Sequence, residues 1–307
     1  MRSLLFVPGD SPRKLEKGLF SGADVLLIDL EDSVALAAKA DARRTTLSFL
    51  AASLPLAGRP RLYVRVNGLT TGLTDADLDG IMHAAPDGIV LPKAVGGQDV
   101  SHLGAKIAVR EAEFGLADGG TRILAIATET ARGVFALGTF AGASHRLMGL
   151  TWGAEDLSAD LGAETNRRDD GLYADPYRLA RSLTLMGAAA AEVEAVDSVF
   201  THFRDLEGLA AECREARRDG FVAKMAIHPA QVPVINEAFT PSPEALTRAQ
   251  AVVDAFAADP GVGVIGLDGE MLDRPHLKRA ERVLARAGYR QEPGRRSENF
   301  VSGVDTK

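Results

Sequence analysis

Residues 121–162 read TRILAIATETARGVFALGTFAGASHRLMGLTWGAEDLSADLG. Residues 123–127 and 147–151 are short apolar runs bounded by turn residues, a pattern typical of strands buried on both faces. The segment between them, residues 132–141, predicts a helix. The stretch is therefore interpreted as a β-α-β unit with parallel strands.

Carboxylates follow both predicted strands. Glu129 comes after the first strand, and the pair Glu155 and Asp156 comes after the second. The carboxyl ends of parallel strands meet at one edge of a sheet, where such folds carry their chemistry, so two of these acids can share a divalent cation. In the alternative interpretation, each acid caps the helix that follows it or pairs with an arginine.

The same arrangement recurs along the chain. Further apolar runs predict six more strands, at residues 4–7, 25–30, 62–66, 88–91, 195–200 and 224–229. Strands that alternate with helices at this spacing indicate a parallel sheet, and eight such units favour a closed α/β fold, the (β/α)₈ TIM barrel. A doubly wound open sheet is the second candidate.

The chain is predicted to divide into three parts. Residues 1–240 form the barrel and catalytic domain, and residues 241–289 form a C-terminal helical and loop extension that acts as a lid. Residues 290–307 lack apolar periodicity and are expected to be disordered. The motif GVGVIG at 261–266 matches a dinucleotide-binding pattern, but it follows a helix instead of a strand, so its glycines are attributed to a mobile loop.

Composition excludes several classes of protein. The 307-residue chain has a net charge of −7 and no long basic run, which argues against nucleic-acid binding. The single cysteine, Cys213, cannot form an intrachain disulfide. No apolar run approaches the roughly 18 residues of a membrane span. These features predict a cytoplasmic protein that binds no membrane.

Several motifs, taken together and in this order, resemble one known family. They are RSLLFVPG at 2–9, DLEDSV at 29–34, RVN at 65–67, LPK at 91–93, ET at 129–130, WGAEDLSADLG at 152–162 and AIHPAQ at 226–231. The chain resembles the citrate lyase β-subunit family, whose relatives include malyl-CoA and citramalyl-CoA lyases within the HpcH/HpaI aldolase superfamily. The resemblance extends over about residues 1–289.

This resemblance implies a fold and an activity. The family has a (β/α)₈ barrel with a C-terminal extension, forms homo-oligomers such as trimers or hexamers, and uses Mg²⁺, with Mn²⁺ as an alternative. Its lyases cleave a 3-hydroxy-acyl-CoA into acetyl-CoA and a 2-oxo acid, or run the reverse condensation. Three alternatives are a malyl-CoA thioesterase, an aldolase that needs no CoA, and a β subunit active only within a citrate lyase complex.

The resemblance also assigns roles to particular residues. Glu129 and Asp156 match the magnesium ligands, in keeping with the one or two carboxylates that Mg²⁺ usually takes from a protein. Arg65 matches the arginine that contacts the 2-oxo acid, a role that suits a planar guanidinium. Glu31 and Asp32 match an acidic pair expected to contact metal-bound water and Arg65; alternatively, they stabilise a helix N-terminus.

Other expected site residues lie at the edges of the barrel. Asp273 matches an acid that a neighbouring subunit supplies from its extension, with Asp268 as the alternative. Substrate is expected to contact the segment Gly153, Ala154, Glu155 and Asp156. Arg13 and Lys14 are positioned for CoA phosphates, although solvated helix charges explain them equally well. His228 is expected to be a core histidine satisfied by hydrogen bonds.

Overall fold

The computed structural model describes residues 1–259 and 261–288. The predicted disordered tail, residues 290–307, lies outside the described residues. The chain forms two compact units, the first spanning Met1–Phe239 and the second beginning at Thr240.

Eight parallel strands in the first unit close into a barrel in which β8 pairs with β1. The strands are β1 Ser3–Pro8, β2 Val25–Asp29, β3 Arg61–Arg65, β4 Gly88–Leu91, β5 Arg122–Ile126, β6 Leu147–Thr151, β7 Glu194–Asp197 and β8 Ala223–Ala226. The prediction of a (β/α)₈ barrel is confirmed. The closed strand order excludes the open, doubly wound sheet.

Helices follow each strand. They are α1 Pro12–Leu19, α2 Lys39–Ser53, α3 Thr74–Ile81, α4 Gly97–Glu113, α5 Ala131–Phe135, α6 Ala154–Leu161, α7 Asp175–Ala190, α8 Leu206–Asp219 and α9 Gln231–Phe239. The helix predicted at residues 132–141 is in fact the short α5 followed by a 3₁₀ turn, Leu137–Phe140.

The apolar core has two layers because successive strand residues point to opposite faces. Val25 and Leu27 belong to an inner cluster made only of strand side chains, whereas Leu26 and Ile28 belong to the larger cluster shared with the helices. A Cβ atom at Gly88 would lie 2.5 Å from the ring of Tyr63, so glycine is what lets this tyrosine fill the barrel interior. The filled interior leaves the strand ends as the place for a site.

The second unit packs α10 Pro243–Ala258 against α11 Arg274–Gly288, with a two-stranded antiparallel hairpin, β9 Val264–Leu267 and β10 Glu270–Asp273. The hairpin corrects the prediction of a mobile glycine-rich loop. Asp268 and Gly269 form its turn with φ of 52° and 81°, the left-handed conformations that a tight two-residue hairpin turn requires. No helix in the described part of the chain is long and apolar enough to cross a membrane.

Candidate active site

Charged side chains collect where strands β2 to β6 end. Asp29 ends β2 and Arg65 ends β3. The remaining members follow their strands within a few residues: Glu31 and Asp32 after β2, Lys93 after β4, Glu129 after β5 and Asp156 after β6. All these strands are parallel neighbours, so the side chains share the C-terminal face of the barrel. We call this set the acid–base cluster.

Arg65 is held by two carboxylates from the neighbouring strand. Its Nε and Nη2 each donate to a carboxylate oxygen of Asp29 at 2.7 Å, and its Nη1 lies 3.0 Å from Oε2 of Glu31. Burial disfavours the Asp29 carboxylate, but the hydrogen bonds and charge of Arg65 outweigh it and lower the pKa of Asp29. The two bonds to Asp29 use two of the five N–H donors of a guanidinium, which fixes the plane of Arg65 and leaves donors for a ligand.

Lys93 connects the acids of three different strands. Its ammonium lies 2.7 Å from Glu31 and 3.3 Å from Asp156, and its backbone N–H donates to Oε2 of Glu129 at 2.5 Å. Burial opposes its charge, but these acids raise the pKa of Lys93 above its usual value. Lys93 also has a φ of 52°, a left-handed conformation that is strained for a residue with a side chain. Such strain at a strand exit is common in functional sites.

Glu129 is a buried carboxyl placed beside a second one. Burial, and after it the charge of Asp156, raise the pKa of Glu129 to about 8. Gly153 makes room for it: a Cβ atom at that position would lie 2.7 Å from Cγ of Glu129. A divalent cation between the two carboxylates would relieve their mutual repulsion, so this pair fits Mg²⁺ on chemical grounds.

Glu31 supplies a further available oxygen. The residue is buried, and burial raises its pKa despite the charge of Arg65. Its Oε2 has an ion-pair contact but no hydrogen-bond partner within the described residues. Asp32 beside it is 56% exposed and lies 3.4 Å from the ammonium of Lys93.

Within residues 1–259 and 261–288, no group of three or more His, Cys, Asp or Glu side chains is arranged to hold a metal ion. Glu129 and Asp156 would therefore leave most of the six positions of Mg²⁺ to water and substrate.

The predicted substrate residues at the first turn of α6 have different contacts. Gly153 is the N-cap of this helix, Ala154 is buried, and Asp156 contacts Lys93. Glu155 instead accepts a hydrogen bond from the side chain of Asn166, at 2.9 Å, in the following loop. Asp156 thus belongs to the acid–base cluster, whereas Glu155 holds the loop.

Four other predicted residues have surroundings of their own. Arg13 and Lys14 are exposed on α1, and neither has a hydrogen bond or ion pair to the cluster among the described residues. Asp273 ends β10 in the second unit, where its carboxylate lies 2.5 Å from Nδ1 of His276. That hydrogen bond lowers the pKa of Asp273. Asp268 pairs with Arg248 at the hairpin turn.

The prediction for His228 is wrong. The residue is exposed after β8, and its ring stacks on Phe203 at 4.9 Å between centroids. Sequence reasoning also missed Asp29 and Lys93 as members of the acid–base cluster. The apolar run 25–30 places Asp29 within a strand, although an acid that ends a buried strand is itself a signal of a site. The LPK motif contains Lys93 but by itself gives that residue no role.

Comparisons with known proteins agree with this geometry. A family model described as HpcH/HpaI aldolase/citrate lyase matches residues 2–229. The chain belongs to this family. The predicted resemblance is thereby confirmed.

Individual relatives match this chain over nearly its full length. Citrate lyase subunit beta of Leuconostoc mesenteroides subsp. cremoris is 36% identical over 285 residues, which cover 92% of each chain. A (3S)-malyl-CoA thioesterase of Cereibacter sphaeroides is 35% identical over 294 residues, covering 93% of this chain and 94% of that protein. The crystal structure of CitE from Mycobacterium tuberculosis, in complex with magnesium, acetoacetate and coenzyme A, matches with a TM-score of 0.74 at 36% identity. That match covers 94% of this chain and 98% of the other.

Proposed function

We propose that this family member is a magnesium-dependent carbon–carbon lyase that cleaves a 3-hydroxy-acyl-CoA into acetyl-CoA and a 2-oxo acid, or catalyses the reverse condensation. The observation that carries the proposal is the pair of the buried Glu129 and the half-buried Asp156 on neighbouring strand ends, next to the cations Arg65 and Lys93. The complex of the Mycobacterium tuberculosis relative with magnesium, acetoacetate and coenzyme A supports the ligand set.

Glu129 and Asp156 would hold the cation. When bound, Mg²⁺, or Mn²⁺ in its place, would supply Lewis-acid stabilisation of negative charge on the substrate's oxygen atoms. The structural role of Lys93 is to keep this pair in place, because its backbone N–H bonds one carboxylate and its ammonium contacts the other.

Arg65 would bind the negatively charged end of the substrate. Because Asp29 fixes its plane, its remaining N–H donors point in a defined direction before substrate arrives. Pre-aligned donors stabilise developing charge at little reorganisation cost. Glu31 and Asp32 would orient Arg65 and Lys93 and hold water near the cation.

Cleavage also needs two proton transfers. The bond between the carbinol carbon and the methylene carbon breaks, and its electron pair stays with the methylene carbon. The hydroxyl gives its proton to a water held near Glu31 and Asp32 as the carbonyl of the 2-oxo acid forms, and the methylene carbon gains a proton to become the methyl of acetyl-CoA. We assign the second transfer to Asp273, or to a water that it holds; in condensation the same carboxylate removes the methyl proton.

We propose, in keeping with the resemblance, that Asp273 acts in the site of a neighbouring copy of the chain, which a mixing experiment can test. Glu129→Gln and Asp273→Asn variants, each inactive alone, should regain activity when unfolded together and refolded, because some sites in the mixed oligomer combine two intact contributions. A mixture as inactive as its components would show that each site uses its own Asp273 or none.

The proposed reaction is tested with the purified full-length chain, acetyl-CoA, Mg²⁺ and a panel of glyoxylate, pyruvate and oxaloacetate, with and without chelator. Condensed acyl-CoA products are identified by mass spectrometry. We expect a product with one oxo acid that disappears with chelator. Products that form from free oxo acids without any thioester would instead indicate an aldolase, and activity only after addition of partner subunits would indicate a citrate lyase component.

A second candidate is a malyl-CoA thioesterase, favoured by the 35% identity to the Cereibacter sphaeroides enzyme of that name. Here water attacks the thioester carbonyl, and the carbon–carbon bond stays intact. In H₂¹⁸O, hydrolysis places one labelled oxygen in the released carboxylate and yields free CoA, whereas cleavage by the lyase yields acetyl-CoA.

A further inference from the structure

A buried ion pair lies in the layer between the barrel strands and the helices. Lys224 of β8 and Asp197 at the end of β7 are both fully buried, and the ammonium donates to Oδ2 of Asp197 at 2.7 Å. The ammonium also donates to Glu212 of α8 at 2.7 Å, so the pair lies on the helix-facing side of the strands. Burial opposes both charges, but the opposite charges outweigh it, and the pKa of Asp197 is lowered while that of Lys224 is raised. Both groups are therefore ionised.

Stability alone does not account for this ion pair. Taking two charges out of water costs about as much free energy as their attraction in the interior returns, and well-packed apolar side chains in such a place are often as stable or more stable. Other helix-facing residues of the same two strands, Ala195 and Ala226, are indeed apolar. Buried charges can instead specify a single arrangement of the groups that bond to them. The contacts of Asp197 show which group is arranged here.

The other carboxylate oxygen of Asp197 accepts a hydrogen bond from the indole of Trp152. Nε1 of this buried tryptophan lies 2.8 Å from Oδ1. Trp152 directly follows β6, the strand that pairs with β7. A hydrogen bond to a carboxylate is about twice as strong as a neutral one and is directional, so it fixes the rotation of the indole as apolar packing does not. We call Trp152, Asp197 and Lys224 the indole anchor.

The indole anchor acts on the residues that follow Trp152. Trp152 belongs to the core cluster shared with the helices, and the next residue of an extended chain points to the opposite side. That residue is Gly153, where a Cβ atom would lie 2.7 Å from Cγ of Glu129. Asp156 follows on the first turn of α6. A shift of the indole would therefore move Asp156 and the backbone against which Glu129 packs.

We propose that Asp197 is a positioning residue for the magnesium site. Its bond to the indole of Trp152, with its carboxylate held by Lys224, sets the relative position of Glu129 and Asp156. The inference rests on the proposed function, which assigns these two carboxylates to Mg²⁺. Asp197 acts through Trp152 and not by contact with substrate. Replacing residues that support metal ligands in this way typically costs about 10- to 100-fold in metal affinity or activity.

The test compares two double variants of the full-length chain that both lack the ion pair. Asp197→Asn/Lys224→Met keeps an oxygen that accepts the indole N–H, whereas Asp197→Leu/Lys224→Met is of similar size and offers no acceptor. A third variant, Trp152→Phe, removes the N–H donor and leaves the ion pair. For each variant, thermal unfolding, the Mg²⁺ dissociation constant by calorimetry, and kcat and KM for acetyl-CoA in the condensation are measured.

We expect Asp197→Leu/Lys224→Met and Trp152→Phe to bind Mg²⁺ about 10- to 100-fold more weakly and to lose kcat by a similar factor, with KM for acetyl-CoA unchanged. Asp197→Asn/Lys224→Met should bind Mg²⁺ like the wild type, because the acceptor remains. If Asp197→Leu/Lys224→Met does not fold, Trp152→Phe decides the question by the same criteria.

Two results would overturn the inference while leaving the proposed function intact. One is a lower unfolding temperature with wild-type Mg²⁺ affinity in Trp152→Phe and in Asp197→Leu/Lys224→Met, because the indole anchor would then serve the fold alone. The other is an equal loss of Mg²⁺ affinity in both double variants, because the ion pair and not the bond to the indole would then be responsible. A wild-type chain that binds no Mg²⁺ would overturn the proposed function and this inference together.

Discussion

Replacement of Gly153 by alanine tests whether the position of Glu129 governs the site. Gly153 has φ of −127° and ψ of 110°, an extended conformation that alanine adopts without strain. The backbone therefore tolerates the change. The added Cβ atom, however, would lie 2.7 Å from Cγ of Glu129. The substitution acts on the site through this one contact.

The size of the effect follows from the clash. Carbon atoms in contact lie about 3.5–4.0 Å apart, so Glu129 has to retreat by about 1 Å. A displacement of that size at a reacting site costs on the order of 100-fold in rate. Because Glu129 is buried, its displaced side chain cannot simply move into solvent. We expect kcat/KM to fall on the order of 100-fold and Mg²⁺ affinity to fall with it.

The assay measures kcat/KM for the condensation and Mg²⁺ binding by fluorescence of Trp152, the single tryptophan of the chain. Gly138→Ala is the matched control, since a Cβ atom there meets nothing within 4 Å. In a Glu129→Gln background the alanine at position 153 should add little, because both changes act on the same carboxylate. Gly153→Ala with wild-type turnover and Mg²⁺ affinity would refute the role of Glu129.

Three further predictions address other parts of the account. Lys93→Gly should be more stable than Lys93→Ala by about 1 kcal/mol in urea unfolding, because only glycine adopts the left-handed conformation there without strain; equal stabilities would show that the strain is absent. Asp273→Asn should lower turnover about 100- to 10,000-fold, whereas Asp268→Asn should leave it near wild type, and the reverse order would exchange their roles. Burial and Asp156 raise the pKa of Glu129 to about 8. Below that pH, Mg²⁺ must therefore displace a proton from Glu129 in order to bind. The Mg²⁺ affinity of the chain should therefore rise with pH up to about 8 and then level off, as measured by fluorescence titrations at constant ionic strength. A flat or falling profile would contradict the raised pKa of Glu129.

The barrel could be predicted from the sequence because its signals are local. Each strand is a short apolar run that is buried on both faces, such as residues 123–127, and a turn residue ends it. The acids after the strands were equally visible, and parallel pairing brings them to one face without further information. The order of the motifs then indicated the family.

The errors arose where distant parts of the chain decide the environment of a residue. The expectation of a core position for His228 is one such error: the residue is exposed, and its stacking partner Phe203 lies in another loop. The pairing of Asp29 with Arg65 joins residues 36 positions apart, and the contacts of Lys93 depend on a φ that no sequence pattern indicates. The hairpin β9–β10 had a local signal, the dipeptide Asp268–Gly269, which glycine-rich surroundings obscured.

The most direct test of the account is a product analysis with malyl-CoA and citramalyl-CoA as substrates of the purified full-length chain. The account predicts that acetyl-CoA and a 2-oxo acid form in equal amounts, and that chelator or the substitution Glu129→Gln abolishes both. Free CoA and an intact hydroxy acid, with no 2-oxo acid, would contradict the central claim that this site breaks a carbon–carbon bond.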